Sequence, residues 1–165
     1  MEIISHRKEY LVTHFDGRAE PCKKIRQTWF DNKTEDICYF VFGECKDLEM
    51  IAQTLTQQYK AILVTGPKVA ASSKDRLVQL KNEYMDNFKV FSLPNRPGDH
   101  TMMINNNLFF EDKHDMDGHS AHVCIVENAT QAEKNFFKDR FLADVNSAKE
   151  MKLDAIKVMD VYPGI

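Results

Sequence analysis

Histidines and carboxylates are concentrated in one stretch of the sequence, residues 99–122. This stretch reads DHTMMINNNLFFEDKHDMDGHSAH, and it holds four of the six histidines together with four aspartates and a glutamate. Imidazole and carboxylate groups can transfer protons, attack electrophiles or bind divalent ions. The stretch therefore has three interpretations: a catalytic histidine, a metal site, or a hydrated, charged loop between two strands.

The first candidate is a metal site formed by His114, Asp117, His119 and His122. His-x-x-His spacing can bring two imidazoles to one side of a turn, and an aspartate adds a hard oxygen ligand. The glycine and the density of charge in this segment are equally typical of a solvated loop. We expect no obligatory cofactor, and a divalent ion held by these four residues is the alternative.

The second candidate is His100, which begins a short run of strand-forming residues. A histidine in that place can act as nucleophile or general acid toward a phosphoryl centre. Such chemistry usually needs a cationic group beside it to offset the charge of the phosphoryl oxygens. The residue two positions further on is Met102, which carries no charge.

The third candidate is an anion site in the segment LVTGPKVAASSK, residues 63–74. A strand that leads through a glycine into a serine-capped helix presents backbone N–H groups and the positive end of the helix to a ligand. Lys68, Ser72 and Ser73 are then phosphate-binding candidates, and Arg96 could grip a phosphate through its planar guanidinium. The spacing of a Walker motif is absent, and an ordinary strand-to-helix connection with solvated charges is the alternative.

Composition limits the classes of function that these residues can serve. The chain has 165 residues, of which 43% are hydrophobic and 28% charged, as expected of one packed domain. The net charge of -3 provides no general attraction to nucleic acid or to acidic membranes, so any such binding needs a local patch.

The cysteines and the apolar runs bear on where the protein works. The four cysteines include no Cys-x-x-Cys pair, which favours free thiols in a reducing compartment. The longest apolar run is ICYFVF at 37–42, too short to span a bilayer, and the first residues do not have the pattern of a signal peptide. We therefore expect a cytoplasmic protein that does not bind membranes.

The pattern of elements predicts an α/β fold with a mixed, mostly parallel sheet and helices on both faces. Strands are predicted at EYLVTH, ICYFVFG, AILVTGP and NFKVFSLP, with helices starting near Asp47 and at Ser72 or Ser73. A hairpin, HTMMI and LFFE around three asparagines, comes next and is followed by the strand AHVCIVE. Thr130 and Glu133 form a capping box for a long helix that buries Phe137 and Phe141.

The sequence shows no linker or repeat, which indicates a single domain over residues 1–165. Within it, residues 1–35 are predicted to form an N-terminal strand and helix extension. Residues 36–150 are predicted to form the α/β core, and residues 151–165 a C-terminal tail.

From ICYFVFG to NSAKEM, the order of elements resembles one half-unit of the phospholipase D superfamily. In that family the third strand of the alternating series leads into the motif His-x-Lys-x-x-x-x-Asp. Here the histidine position is His100, the lysine position is Met102, the aspartate position is Asn107, and the family's following Gly-Ser pair is missing. The resemblance implies a phospholipase D-like fold and, because single-motif members of the family pair two half-sites, a homodimer.

Loss of the lysine favours a binding protein over an enzyme, since a thioether cannot hold a phosphodiester by charge. The leading expectation is a non-catalytic, regulatory protein that binds nucleic acid, another phosphate-containing ligand or a protein. The alternative is a phosphodiesterase or nuclease that uses His100 with the Asp/His cluster at 111–122, with or without a metal. A Rossmann-like nucleotide binder is a third alternative.

Overall fold

The computed structural model describes residues 6–13, 27–29, 31, 36–42, 48–69, 71–95, 100–113, 120–150 and 157–158. The strands are β1 (His6–Thr13), β2 (Ile37–Phe42), β3 (Lys60–Thr65), β4 (Lys68–Val69), β5 (Phe88–Ser92), β6 (His100–Ile104), β7 (Asn107–Lys113), β8 (Ser120–Glu127), β9 (Lys149–Glu150) and β10 (Lys157–Val158). The helices are α1 (Glu49–Thr56), α2 (Ala71–Glu83) and α3 (Gln131–Ser147).

Eight of these strands form one sheet, in the order β1-β8-β7-β6-β2-β3-β5-β9. The predicted mixed α/β fold is confirmed, and the predicted alternation of strand and helix produces the parallel pairs β2/β3 and β3/β5. The emphasis on parallel pairing was wrong, because the other five pairs in the sheet are antiparallel. The reason is that α1 and α2 serve as crossovers only for β2, β3 and β5, whereas β6, β7 and β8 follow one another as a meander with short connections.

Side chains on the two faces of the sheet build two separate cores, because successive residues of a strand alternate between faces. The first core contains Phe40 and Phe42 of β2 with residues of α1 and α2, such as Ile51 and Leu77. The second core contains Val41 of β2, Val64 of β3, and Phe137 and Phe141 of α3. Helices thus cover both faces, as predicted.

The start of one helix agrees with the sequence prediction, and the start of another differs from it. The Thr130–Glu133 capping box at the start of α3 is present in both directions, with Glu133 N to Thr130 Oγ1 at 3.2 Å and Thr130 N to Glu133 Oε1 at 2.8 Å. Helix α1 has Leu48 at its N-cap, and Asp47, the predicted cap, lies outside the described residues. Helix α2 begins at Ala71, which places Ser72 and Ser73 inside its first turn and not at its cap.

Three consecutive asparagines connect β6 to β7 and tie this turn to the rest of the chain. Asn105 adopts a φ of 55°, in the left-handed region that asparagine tolerates better than most residues. Its amide Nδ2 donates to the carbonyl oxygen of Trp29 at 2.6 Å. Asn106 Oδ1 accepts from Lys134 Nζ of α3 at 2.9 Å. The turn therefore joins the sheet both to the N-terminal region and to α3.

The predicted N-terminal extension completes one edge of the sheet. Strand β1 pairs with β8 over its full length, from His6 opposite Glu127 to Thr13 opposite Ser120. Trp29 is 2% exposed, packs into the first core, and donates from Nε1 to Glu127 Oε2 at 3.3 Å. Near the other end of the chain, β10 pairs with β4, a contact that was not predicted from the residue pattern.

Two substitutions at Asn105 separate the contribution of its side-chain hydrogen bond to stability from that of its backbone conformation. We expect Asn105→Gly to lower the free energy of unfolding by about 1 to 2 kcal/mol, because the buried carbonyl of Trp29 loses its donor. Asn105→Ala should cost about 1 kcal/mol more, since alanine also opposes a positive φ. Urea unfolding, followed by the fluorescence of the single tryptophan, measures both changes.

Asn128 provides the matched control for that experiment, because it also has a positive φ, 52°, but is exposed. We expect Asn128→Ala to cost only the backbone penalty of about 1 kcal/mol. Equal stability of the Asn105→Ala variant and the native protein would contradict this account of the turn.

Candidate functional site

His100 is the first residue of β6 and lies at the edge of the sheet where the parallel strands end. Thr101 pairs with Val41, so the register places His100 beside Phe42, the last residue of β2. The two rings are tilted by 33°, with centroids 5.8 Å apart. On its other side His100 pairs directly with Glu111 of β7.

Five residues from five adjacent strands form one row across the sheet. We call them the edge row: Glu111, His100, Phe42, Thr65 and Ser92. Thr65 pairs with Phe42 on one side and with Ser92 on the other, and directly opposed residues share a face of the sheet. Because Phe42 belongs to the first core, the row lies on the face covered by α1 and α2. The carboxyl ends of parallel strands are where α/β folds usually bind ligands.

The hydroxyl groups of the edge row differ in their hydrogen bonding. Ser92 Oγ donates to the carbonyl oxygen of Gly66 at 3.2 Å. Thr65 is 0% exposed, and within the described part of the chain its Oγ1 makes no hydrogen bond. A buried hydroxyl without a partner is costly, commonly about 1 to 3 kcal/mol. Such a group is therefore a reason to regard this part of the row as a candidate binding position.

Met102 occupies the lysine position of the motif and is part of the first core. It is 2% exposed, and it pairs with Phe40 on β2 and with Phe109 on β7, both of them buried. In the family motif, positions 100 and 102 hold a histidine and a lysine. Here they hold a histidine and a buried methionine, so the ammonium group is replaced by a thioether. No member of the edge row carries a positive charge that is independent of pH.

Asn107 occupies the aspartate position and has a structural role at the hairpin. Its Nδ2 donates to the carbonyl oxygen of Ile104 at 3.3 Å, and its Oδ1 accepts from the backbone N–H of Asn128 at 3.2 Å. The first contact lies within the β6–β7 hairpin, and the second connects the hairpin to the residue that follows β8. The side chain is thus engaged at the opposite end of β6 from His100.

The predicted metal site is only partly within the described residues. His114, Asp117 and His119 lie outside them, while His122 is in β8 and pairs with Asp112. That pair follows the Glu111–Val123 pair in the register, so His122 is not in the edge row. Among the residues that the structure describes, no three His, Cys, Asp or Glu side chains are grouped to hold a metal ion. The metal site remains a prediction.

The predicted phosphate-binding residues occupy different settings. Lys68 is in β4, whose pairing with β10 sets it opposite Lys157. Ser73 is 4% exposed in the first turn of α2, and Ser72 precedes it. Arg96 lies outside the described residues. Binding of phosphate by these four residues therefore remains a prediction.

Sequence reasoning missed Phe42, Thr65 and Ser92 as members of the row that contains His100. Each is the last residue of one of the parallel strands β2, β3 and β5. That shared position is a signal available in the sequence, because the carboxyl ends of consecutive parallel strands meet at one edge of a sheet. The register that places them in one row with His100 could not be read from the sequence.

Solved structures of three proteins have a similar fold, with about one residue in ten identical. Nuc, a phospholipase D family member from Salmonella typhimurium, matches with a TM-score of 0.65 and 9% identity over 89% of this chain and 99% of its own. NucT from Helicobacter pylori matches with a TM-score of 0.61 and 10% identity over 88% of this chain and 100% of its own. TrmBL2 is an archaeal chromatin protein whose structure shows a novel mode of DNA binding. It matches with a TM-score of 0.59 and 10% identity over 87% of this chain. The chain spans about half of TrmBL2, 53% of its length.

These similarities establish that the protein has a phospholipase D-like fold, as the resemblance of its sequence implied. No family profile and no curated protein sequence matches the chain. Among the helices of the described residues, none has the length and apolar character needed to cross a membrane.

Restoring the lysine of the family motif tests whether position 102 belongs to the core. We expect Met102→Lys to destabilise the protein by several kcal/mol, because the ammonium would be buried among the apolar side chains of the first core. The charged form is disfavoured on folding, so the lysine pKa falls and the loss should shrink as the pH rises from 7 to about 10. Urea unfolding at the two pH values measures this difference.

Met102→Leu is the matched control, since a swap of similar volume should cost less than about 1.5 kcal/mol. If Met102→Lys were as stable as Met102→Leu at pH 7, position 102 would be accessible to solvent and this description of the site would be wrong.

Proposed function

We propose that this protein is a non-catalytic phospholipase D-like module that acts by binding a partner. The observation that carries the proposal is the burial of Met102 where the family motif has a lysine. Without that ammonium, the edge row has no fixed positive charge to offset the oxygens of a phosphodiester in a transition state. A histidine alone supplies at most a proton or a nucleophile.

Nucleic acid is the partner that we propose to test first. Support comes from the likeness of fold to TrmBL2, an archaeal chromatin protein that binds DNA, and a shared fold is only a guide to function. With a net charge of -3, binding would depend on a local group of basic side chains. Lys68 and Arg96 are the members of that group which the sequence suggests.

The second candidate function is a phosphodiesterase or nuclease that uses His100 and the cluster at 111–122. One observation favours it: Glu111 is directly opposite His100, so an imidazole and a carboxylate are neighbours at a ligand-binding edge of the sheet. Paired groups of this kind can act as acid and base. The two functions make opposite predictions for turnover.

We expect no hydrolysis above background by the purified protein. The assay uses a generic phosphodiester and single- and double-stranded nucleic acids, each with and without divalent ions. Native protein and His100→Ala should be indistinguishable, because the charge needed at the transition state is missing in both. Turnover that is lost in His100→Ala while stability is retained would establish the enzyme and refute the proposal.

For nucleic acid, we expect fluorescence anisotropy to show binding that weakens steeply as salt rises from about 50 to 200 mM. Lys68→Ala and Arg96→Ala should each reduce the slope of log affinity against log salt by about one. Lys89→Ala, an exposed lysine on β5, is the control and should leave the slope unchanged. Absence of binding at about 50 mM salt would exclude nucleic acid and leave a protein partner as the one to test.

The proposal includes a homodimer, as the resemblance to single-motif members of the family implies. Its support is that the fold matches Nuc over 99% and NucT over 100% of their chains.

A further inference from the structure

Two hydroxyl-bearing residues lie at the carboxyl ends of β3 and β5, some distance from His100. Thr65 and Ser92 are the last residues of these strands and pair directly with each other. In β3, Ala61 and Leu63 belong to the first core, and alternation along the strand puts Thr65 on the same face. Both residues therefore lie on the face of the sheet that α1 and α2 cover.

Helix α2 brings a third hydroxyl to the same face. Its buried residues Ser73, Leu77 and Leu80 recur at intervals of four and three positions, so they lie on one side of the helix. Leu77 and Leu80 pack into the first core. Ser73 is therefore turned toward the sheet, from the first turn of α2.

The course of α2 sets the position of Ser73 along the strands. Because α2 follows β3 and precedes β5, it runs antiparallel to both, and its first turn lies at their carboxyl ends. At its other end, the N–H of Phe88 donates to the carbonyl oxygen of Tyr84 at 2.8 Å. The rise from Tyr84 back to Ser73 is about 16 Å, and the rise from Phe88 to Ser92 is about 13 Å. Along the strands, Ser73 is thus within about 4 Å of the level of Thr65 and Ser92.

The first turn of α2 adds backbone donors to these hydroxyls. The first N–H groups of a helix have no partner within the helix, and the helix dipole makes this end positive. Residues 71–74 include no acidic side chain, and Lys74 follows Ser73 directly. Ends of this kind bind phosphate and sulfate through their backbone N–H groups.

The buried hydroxyl of Thr65 is an independent indication of a ligand. Its Oγ1 makes no hydrogen bond in the part of the chain that the structure describes. Thr54 is equally buried, but its Oγ1 donates to the carbonyl oxygen of Met50 at 2.8 Å, which is the usual situation of a buried hydroxyl. An oxygen acceptor between the strand ends and α2 would satisfy Thr65. Ser92, which is partly exposed, marks the open side of this place.

We propose that Thr65, Ser92 and Ser73, together with the backbone N–H groups of the first turn of α2, bind a terminal phosphate group. We call this place the hydroxyl site. The inference rests on the proposed function, whose phosphate-containing ligand it locates. A terminal phosphate offers three free oxygens to an enclosed group of donors, whereas a diester within a nucleic acid chain offers two and continues in both directions.

The hydroxyl site is separate from the motif histidine. Phe42 stands between His100 and Thr65 in the edge row. At about 4.8 Å per strand, Thr65 is about 10 Å from β6, and Ser92 is about 14 Å from it. The donors are hydroxyl and N–H groups, so phosphate binding here needs neither the histidine nor the lysine of the family motif.

Isothermal titration calorimetry with inorganic phosphate, at constant ionic strength, tests the site. Native protein should bind one phosphate per chain, and Thr65→Val should weaken binding at least tenfold. Valine keeps the branched shape of threonine and removes a buried hydroxyl that lacks a partner. Thr65→Val should therefore also raise the Tm of the phosphate-free protein, an effect that a merely structural hydroxyl would not give.

Thr54→Val is the matched control, because it removes an equally buried hydroxyl whose partner lies within α1. It should leave the affinity for phosphate unchanged and should not raise the Tm. His100→Ala distinguishes the hydroxyl site from the motif position and should bind phosphate as tightly as native protein does.

Two oligonucleotides distinguish the sources of the phosphate group. One short strand is prepared with a 5′-phosphate and with a 5′-hydroxyl, and each form competes with inorganic phosphate. Displacement by the phosphorylated form alone would identify the end of a nucleic acid as the ligand, and displacement by neither would identify a small phosphate compound. Both results agree with the site, whereas equal displacement by the two forms would contradict a terminal phosphate.

The outcomes separate the hydroxyl site from the rest of the proposed function. Native protein that binds no phosphate, or Thr65→Val that binds it as tightly as native protein, would overturn the site. Loss of binding in His100→Ala with retention in Thr65→Val would place the anion at the motif position and would also overturn it. A protein that fails these tests and still binds nucleic acid without hydrolysis retains the proposed function. Turnover in the hydrolysis assay would refute the proposed function and leave the phosphate result unchanged.

Discussion

Strand β2 is the element on which the rest of the structure depends. It is paired on both sides, parallel to β3 and antiparallel to β6, and its side chains belong to the cores on both faces of the sheet. Full burial of a large apolar side chain contributes about 1.5 to 3 kcal/mol, so Phe40, Val41 and Phe42 together favour one register strongly. A shift by one residue would exchange the two faces. This register is what places His100 beside Phe42 and Met102 against Phe40.

Much of the fold could be predicted because local chemistry and tertiary structure agree. The Thr130–Glu133 box, the asparagine turn and the run ICYFVF each indicate one local structure, and each is found in that structure. The balance of parallel and antiparallel pairs was missed because periodicity reports burial and says nothing about strand order. The β4–β10 pair was missed because two residues per strand leave no pattern to read.

The candidate site was predictable in part for a similar reason. His100 stands out by its residue type, and the loss of lysine at position 102 is visible in the sequence. Burial of Met102 is not visible there, because a methionine next to another methionine suits either side of a strand. The edge row depends on the register of four strand pairs, and none of those pairings is encoded within a single segment.

The edge row and α3 lie on opposite faces of the sheet. The edge row is on the face of α1 and α2, whereas α3 covers the other face through Phe137 and Phe141.

The central claim is that the edge row has lost phosphoryl transfer. Its most direct test is intact-mass spectrometry of protein quenched in denaturant during incubation with an activated aryl phosphodiester. The account predicts unmodified protein at every time point; a phosphoryl adduct on His100 that is absent from His100→Ala would contradict it.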